Sequence, residues 1–321
     1  MTYITLIFSL VLLVVGANWL VDGSAAIARR YHISEYIIGA TIVGMGTSTP
    51  EFVVSTLSAV GGHSDIAIGN VVGSNIFNVF LILGITALLM PIPYTRSNIR
   101  RDIPINIGAS LVVIALCALG MVWRGEYGLG RIDGLLMLAL FALYLWKTIQ
   151  SDRKQQHDTT LEEATEPTGC YRSTIVCIGA IIVGLGGLIF GGNMFVNSAS
   201  AIAREWGVSE AIIGLTIVAG GTSLPELMSS VIAVAKHKGQ MALGNIVGSN
   251  IFNLLLILGV SSLIQPLTMG GITFVDWGAM LLSALALWAA AIMFKKNQLD
   301  RKDAIVFLLI YAGYMAWLII G

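Results

Sequence analysis

Two short motifs place hydroxyl, amide and carboxyl groups inside apolar surroundings, and each motif occurs twice in this chain. The first, GTSTPE at residues 46–51, returns as GTSLPE at residues 221–226. The second, GNVVGSNIFN at residues 69–78, returns as GNIVGSNIFN at residues 244–253. Both pairs are separated by 175 residues and differ at one position each. Polar and acidic residues kept in both copies of a duplication predict one site assembled from two halves.

In the first motif, a carboxylate follows two hydroxyls by one helical turn. Thr47 and Glu51 are spaced i, i+4, and Ser48 and Glu51 are spaced i, i+3, so these side chains are neighbours on a helix. Pro50 removes a backbone donor and clashes with the carbonyl of Gly46, which predicts a break in the helix. A carbonyl freed in hydrocarbon must be satisfied by protein, water or an ion. The second copy repeats this arrangement with Thr222, Ser223, Pro225 and Glu226.

The two carboxylates are the strongest indication of a function. A carboxylate at the centre of a membrane-spanning helix costs at least about 2.5 kcal/mol on insertion scales. A kink at proline that only aids packing does not account for Glu51 and Glu226 at matching positions. The alternative is a buried carboxylate that bonds only its own helix.

The second motif supplies further oxygen atoms. Ser74 and Asn78 are spaced i, i+4 and share a helix face, whereas Asn75 points elsewhere and is expected to bond backbone or a partner helix. Taken singly, each of these residues is typical of contacts between helices. Taken together with the first motif, they form an oxygen-only set, which hard cations such as Ca²⁺ and Na⁺ prefer and zinc or copper does not. The second copy supplies Ser249, Asn250 and Asn253.

The composition places these motifs in a membrane. Apolar residues make up 56% of the chain and charged residues 11%, whereas a soluble domain carries about a quarter charged residues. The formal net charge is zero, so nothing argues for a nucleic-acid partner. A spanning helix needs about 20 mostly apolar residues, and ten segments qualify. They are 2–22, 33–60, 66–90, 103–123, 131–149, 173–200, 208–235, 241–265, 272–294 and 302–320.

These segments predict an all-α polytopic membrane protein with ten transmembrane helices in two inverted five-helix repeats. Five segments precede the polar stretch Gln150–Gly169 and five follow it. With an odd number of helices in each half, the second half enters the bilayer from the opposite face, so the repeats are inverted. We therefore divide the chain into residues 1–149, a cytoplasmic linker loop at 150–172, and residues 173–321.

The basic residues predict the orientation. Odd-numbered connections between the ten segments hold 15 of the 18 Lys and Arg residues, and even-numbered connections hold the other 3. Because positive charge stays in the cytoplasm, both termini are expected outside.

Together, the motifs resemble the two α-repeats of the cation/Ca²⁺ antiporter superfamily, which comprises the sodium/calcium exchangers and their prokaryotic relatives. The resemblance covers residues 16–92 and 191–267, approximately, and the ten-segment plan covers the rest. It implies four central helices that line a cation site opening alternately to each side of the membrane.

The resemblance also implies a ligand set, residue by residue. Glu51 and Glu226 match the carboxylates of a Ca²⁺ site. Some exchangers carry an aspartate at one of the positions of Asn78 and Asn253, whereas this chain has asparagine at both, which leaves two formal negative charges. The other implied ligands are the hydroxyls or carbonyls of Thr47, Ser48, Thr222 and Ser223, the flanking Na⁺-site hydroxyls of Ser74 and Ser249, and the backbone carbonyls of Gly44 and Ala219.

The expected function is exchange of Ca²⁺ for Na⁺ across a prokaryotic plasma membrane, driven by an ion gradient because no nucleotide-binding motif is present. An H⁺/Ca²⁺ or K⁺-linked antiporter of the same fold stays open, and so does a cation channel with the glutamates as a selectivity ring. An intramembrane hydrolase is disfavoured because no HExxH or GxSxG motif occurs. We expect no enzyme activity, no cofactor besides the transported ions, and no protein partner.

Overall fold

The computed structural model describes residues 2–158, 173–208, 219–293 and 297–320. Apart from four two-residue strands, every regular element in these ranges is helical, so the all-α prediction is confirmed. The helices are α1 (Thr2–Arg30), α2 (Glu35–Thr47), α3 (Thr49–Val60), α4 (Ser64–Leu89), α5 (Asn98–Arg124), α6 (Arg131–Asp158), α7 (Thr174–Glu205), α8 (Ala219–Gly221), α9 (Leu224–Ala235), α10 (Gly239–Ile264), α11 (Phe274–Met293) and α12 (Arg301–Ile320).

Seven of these helices are long and apolar enough to cross a membrane, and α2 and α3 meet the same criteria only when taken together as a broken pair. The chain is therefore a multi-pass membrane protein. In the described ranges α9 is a shorter apolar helix, and α12 covers the tenth predicted segment. The count of ten spans in two inverted repeats stays a prediction.

Several helices run beyond the predicted segments. Helix α1 continues to Arg30 and α7 to Glu205, because small and apolar residues of the added turns, among them Ile27 and Ile202, are buried inside the protein. Helix α6 continues to Asp158, which makes the first part of the predicted 150–172 linker helical. The rest of that linker, 159–172, and residues 209–218 of the seventh predicted segment lie outside the described residues.

The chain forms two compact units, and the first comprises residues 1–48 and 146–246. Within it, α1 packs along α7, and α9 packs on both. A Cβ added at Gly16 would lie 2.8 Å from the carbonyl oxygen of Gly184. The backbones of α1 and α7 approach this closely because both positions are glycine, the arrangement expected where small residues let membrane helices pack.

The second unit comprises residues 49–145 and 247–321. Within it, α4 packs against α3, α11 and α12, and α5 packs against α11. Two antiparallel ribbons join its connections: β1 (Ile92–Pro93) pairs with β4 (Gln298–Leu299), and β2 (Gly128–Leu129) pairs with β3 (Leu267–Thr268). Helices α4 and α10 each contain a π-helical turn, at Phe77–Leu83 and Phe252–Ile257.

Candidate cation site

Both copies of the first motif break their helix at the same place. Ser48 has φ −79° and ψ 10°, and Ser223, its equivalent 175 residues later, has φ −91° and ψ 8°. Pro50 and Pro225 then lie in the first turn of the new helix, where a missing N–H costs nothing. The predicted break is confirmed.

In the first unit, the two copies of this motif are in direct contact. The hydroxyl of Ser48 donates to Oε1 of Glu226 at 2.7 Å. Glu226 is 1% exposed, and its Oε2 has no hydrogen-bond partner among the described residues. As the third residue of α9, the carboxylate also faces the positive end of the helix dipole. One oxygen of Glu226 is thus held by protein, and the other is available to a cation.

Asn245 holds the backbone around Glu226. Its Nδ2 donates to the carbonyl of Glu226 at 3.3 Å and to the hydroxyls of Ser229 and Ser230 at 2.9 Å each. Its Oδ1 accepts from Thr47 Oγ1 at 3.2 Å. The asparagine therefore connects α2, α9 and α10 within the first unit.

Asn70 has the same role at Glu51 in the second unit. Its Nδ2 donates to the carbonyl of Glu51 at 3.2 Å and to Ser55 Oγ at 2.9 Å. Ser55 in turn donates to the carbonyl of Ala67 at 3.2 Å. Glu51 is 1% exposed and lies in the first turn of α3, as Glu226 does in α9. Both carboxylates are therefore buried at the start of a helix that an asparagine fixes from the side.

The second motif brings four asparagines together in the second unit. Asn78 donates to Asn250, and Asn253 donates to Asn75, so the copies bond each other reciprocally. The Oδ1 atoms of Asn78 and Asn253 are buried and have no hydrogen-bond partner among the described residues. Ser74 and Ser249, one turn earlier on α4 and α10, are 4% and 0% exposed.

The remaining predicted ligands lie around the helix breaks. The carbonyl of Gly44 accepts from Thr47 Oγ1 at 3.4 Å and from the backbone N–H of Ser48 at 3.1 Å. Thr222 lies in the turn between α8 and α9, and its Oγ1 is buried without a hydrogen-bond partner in the described ranges. Ala219 begins α8. Each of these groups presents an oxygen close in sequence to a buried carboxylate.

The structure brings some predicted residues into contact, whereas others belong to different units. One group is formed by Ser48 and Glu226 in the first unit. The other is formed by the four asparagines in the second unit. Glu51 belongs to the second unit and Glu226 to the first. Their convergence on one ion, as implied by the sequence, stays a prediction.

The asparagines that fix the glutamates are not among the residues predicted from the sequence. Asn70 and Asn245 are repeated at the 175-residue offset, and so are their partners Ser55 and Ser230. Asn70 also precedes Ser74 by four residues, so the face already chosen for Ser74 and Asn78 continues through Asn70. Both signals were present in the printed sequence.

Comparisons with known proteins agree with these features. The family model described as sodium/calcium exchanger protein matches residues 1–150 and 176–320. CaxA of Alkalimonas amylolytica is 37% identical over 321 residues, covering 97% of this chain and 96% of CaxA. The sodium/calcium exchanger MaX1 of Methanosarcina acetivorans is 29% identical over 346 residues, covering 98% and 97%. A solved structure of the sodium-calcium exchanger NCX_Mj superposes with a TM-score of 0.82 at 32% identity, covering 99% of this chain and 98% of that one.

Proposed function

We propose that this chain, which belongs to the sodium/calcium exchanger family of antiporters, exchanges Ca²⁺ for Na⁺ by alternating access. Two buried carboxylates balance the charge of one Ca²⁺ or of two Na⁺. The oxygen-only donor set suits these hard cations.

The contact between Ser48 and Glu226 carries this proposal. A hydroxyl from the first copy of the motif holds one oxygen of the carboxylate from the second copy, and the other oxygen of Glu226 is left without a hydrogen-bond partner in the described residues. A membrane-buried carboxylate without full compensation is expensive. A bound cation removes that cost, and so the group favours an ion as occupant.

In the proposed cycle, Glu51, Glu226 and neighbouring oxygens replace the water around Ca²⁺ on the cytoplasmic side. The site then opens to the outside, releases Ca²⁺ and takes Na⁺, which returns down its gradient. Exchanging the conformations of two inverted repeats exchanges inward for outward access. Helices α1 and α7, which pack along each other in the first unit, are the candidates for the moving gate.

The proposed location is the plasma membrane of a prokaryote, with both termini outside. The 15-to-3 distribution of basic residues supports this orientation. Calcium would then leave the cytoplasm while Na⁺ enters.

The test is Na⁺-driven ⁴⁵Ca²⁺ uptake into proteoliposomes loaded with Na⁺. Wild-type protein is expected to accumulate Ca²⁺ only while the Na⁺ gradient lasts. Glu51→Gln and Glu226→Gln keep the size of each side chain and remove its charge, so each is expected to abolish uptake. Glu126→Gln, at an exposed carboxylate after α5, is the matched control and is expected to transport normally.

Three outcomes would contradict the proposal. Uptake that persists without Na⁺ under a pH gradient would indicate H⁺/Ca²⁺ exchange. Ca²⁺ flux without any counter-ion would indicate a channel. Full activity of both glutamine variants would remove the two carboxylates from the transport site.

A further inference from the structure

Four asparagines, two from each copy of the second motif, form a closed set that we call the asparagine quartet: Asn75, Asn78, Asn250 and Asn253. All four belong to the second unit and are at most 2% exposed. Asn78 and Asn253 are each the second residue of a π-helical turn, a local distortion that is common at functional sites. Asn75 and Asn250 precede those turns by two residues.

Hydrogen bonds fix which way the amides of Asn78 and Asn253 point. Asn78 Nδ2 donates to Asn250 Oδ1 at 3.0 Å, and Asn253 Nδ2 donates to Asn75 Oδ1 at 3.1 Å. A primary amide carries its donor and its acceptor on opposite branches. Once the nitrogen is held, the position of the oxygen is set as well. The oxygens of Asn78 and Asn253 are the atoms without a hydrogen-bond partner in the described part of the chain.

The orientation of Asn75 and Asn250 is fixed in turn by backbone. Asn75 Nδ2 donates to the carbonyl of Asn250 at 3.3 Å, and Asn250 Nδ2 donates to the carbonyl of Asn75 at 3.5 Å. Turning either amide over would place two oxygens against each other at the backbone and two nitrogens against each other at the side chain. The network therefore admits one arrangement, in which the Oδ1 atoms of Asn78 and Asn253 take no part in the hydrogen bonds of the quartet.

We propose that Asn75 and Asn250 are positioning residues, each of which reaches from one repeat to hold the amide of the other repeat with its carbonyl oxygen directed at the transported cation. The inference rests on the proposed cation transport. In the structural alternative, the quartet only joins α4 to α10, and no pair within it orients a ligand for the ion.

This arrangement also accounts for asparagine at both position 78 and position 253. An ionised aspartate at position 78 or 253 would lose the donor and place a negative oxygen against Oδ1 of Asn250 or Asn75. A neutral amide satisfies the donor and still offers an oxygen. The quartet therefore contributes two neutral ligands and leaves the charge of the site to the glutamates.

Double-mutant cycles test the pairing. Leucine is close to asparagine in size and removes both polar atoms. Asn250→Leu is expected to raise the KM for Ca²⁺ about threefold to tenfold, the equivalent of one hydrogen bond. Added to Asn78→Leu, it is expected to raise KM by no more than about twofold, because its target is already gone. Added to Asn253→Leu, it is expected to have its full effect. Asn75→Leu should show the converse pattern.

The outcomes separate the alternatives. If Asn250→Leu has the same effect in the Asn78→Leu and Asn253→Leu backgrounds, the quartet is structural and the proposal is wrong. An unchanged KM in Asn250→Leu and Asn75→Leu would also overturn it. Should a leucine variant fail to reach the membrane, Asn250→Ser and Asn75→Ser serve in the same cycles, since serine is too short to hold the partner amide. Absence of Na⁺-driven Ca²⁺ uptake by wild-type protein would instead refute the proposed function.

Discussion

The two copies of the broken-helix motif have the same backbone conformation but differ in the hydrogen bonds of the asparagine beside each glutamate. Ser48 and Ser223 have nearly the same φ and ψ, because the proline two residues later imposes the same break. The surroundings differ in the second copy, where Asn245 bonds the hydroxyls of both Ser229 and Ser230. In the first copy, the position equivalent to Ser229 is Val54.

This difference indicates that the duplication preserves local conformation more strictly than the contacts around it. Asn245 makes four hydrogen bonds to two other helices of the first unit, α2 and α9. Asn70 makes bonds to Glu51 and Ser55, both on α3. The asparagine beside Glu226 therefore makes more hydrogen bonds than its equivalent beside Glu51.

The largest expected effect is on ion binding. Ser48→Ala removes the hydrogen bond to Glu226, and a bond to a charged group contributes about 1.5–3 kcal/mol. We expect the KM for Ca²⁺ to rise about tenfold to a hundredfold, measured as Na⁺-driven Ca²⁺ uptake. Ser223→Ala is the matched variant in the other copy and should act in the same direction. A normal KM in Ser48→Ala would mean that the contact with Glu226 does not support ion binding.

The second expectation concerns stability. Hydrogen bonds between membrane helices average about 0.6 kcal/mol each. Asn245→Ala should therefore lower the free energy of unfolding by about 2.4 kcal/mol and Asn70→Ala by about 1.2 kcal/mol. Equilibrium unfolding in mixed detergent micelles measures both. Equal losses in the two variants would show that the copies are held with the same strength.

Another asymmetry lies in the two lysines that follow α9. Lys236 pairs with Asp22 at 2.7 Å and Lys238 pairs with Glu35 at 2.8 Å, whereas the positions equivalent to Asp22 and Lys236 are Asn197 and Gly61.

Partly exposed pairs contribute about 0.2–1 kcal/mol. Asp22→Asn should therefore lower the free energy of unfolding by less than about 1 kcal/mol, with a smaller loss at high salt because ions screen the pair. The double charge exchange Asp22→Lys with Lys236→Asp should recover the free energy of unfolding that is lost in Asp22→Asn. A salt-independent effect would argue against an ion pair as its cause.

The last comparison exchanges the residues that differ between the copies. Ser229→Val removes a hydroxyl that accepts from Asn245 and donates to the carbonyl of Glu226, so it should cost about 1.2 kcal/mol of unfolding free energy. Val54→Ser offers Asn70 the missing hydroxyl and should make the hydrogen bonds of the first copy more like those of the second. The same unfolding measurement applies to both. A larger loss in Val54→Ser than in Ser229→Val would show that the valine packs against apolar neighbours that the serine cannot replace.

Much of the site was predictable because its signals are local. The spacing of Ser48, Pro50 and Glu51 predicts a helix break followed at once by a carboxylate, and the structure has this break in both copies. The burial of Glu51 and Glu226 follows from the apolar segments around them. Helix ends were less predictable, since α1 and α7 continue past the predicted segments through small buried residues such as Ala26 and Ala203.

The amino-acid sequence by itself determined that this is a repeated, membrane-embedded chain with broken helices and two carboxylates among neutral oxygens. Each of these properties depends on residues within a few positions of one another. Only the tertiary structure decided that Ser48 bonds Glu226, that Asn245 fixes the start of α9, and that the asparagine quartet holds its own amides. Those bonds join residues up to 178 positions apart. Their geometry depends on how helices pack, which no local spacing specifies.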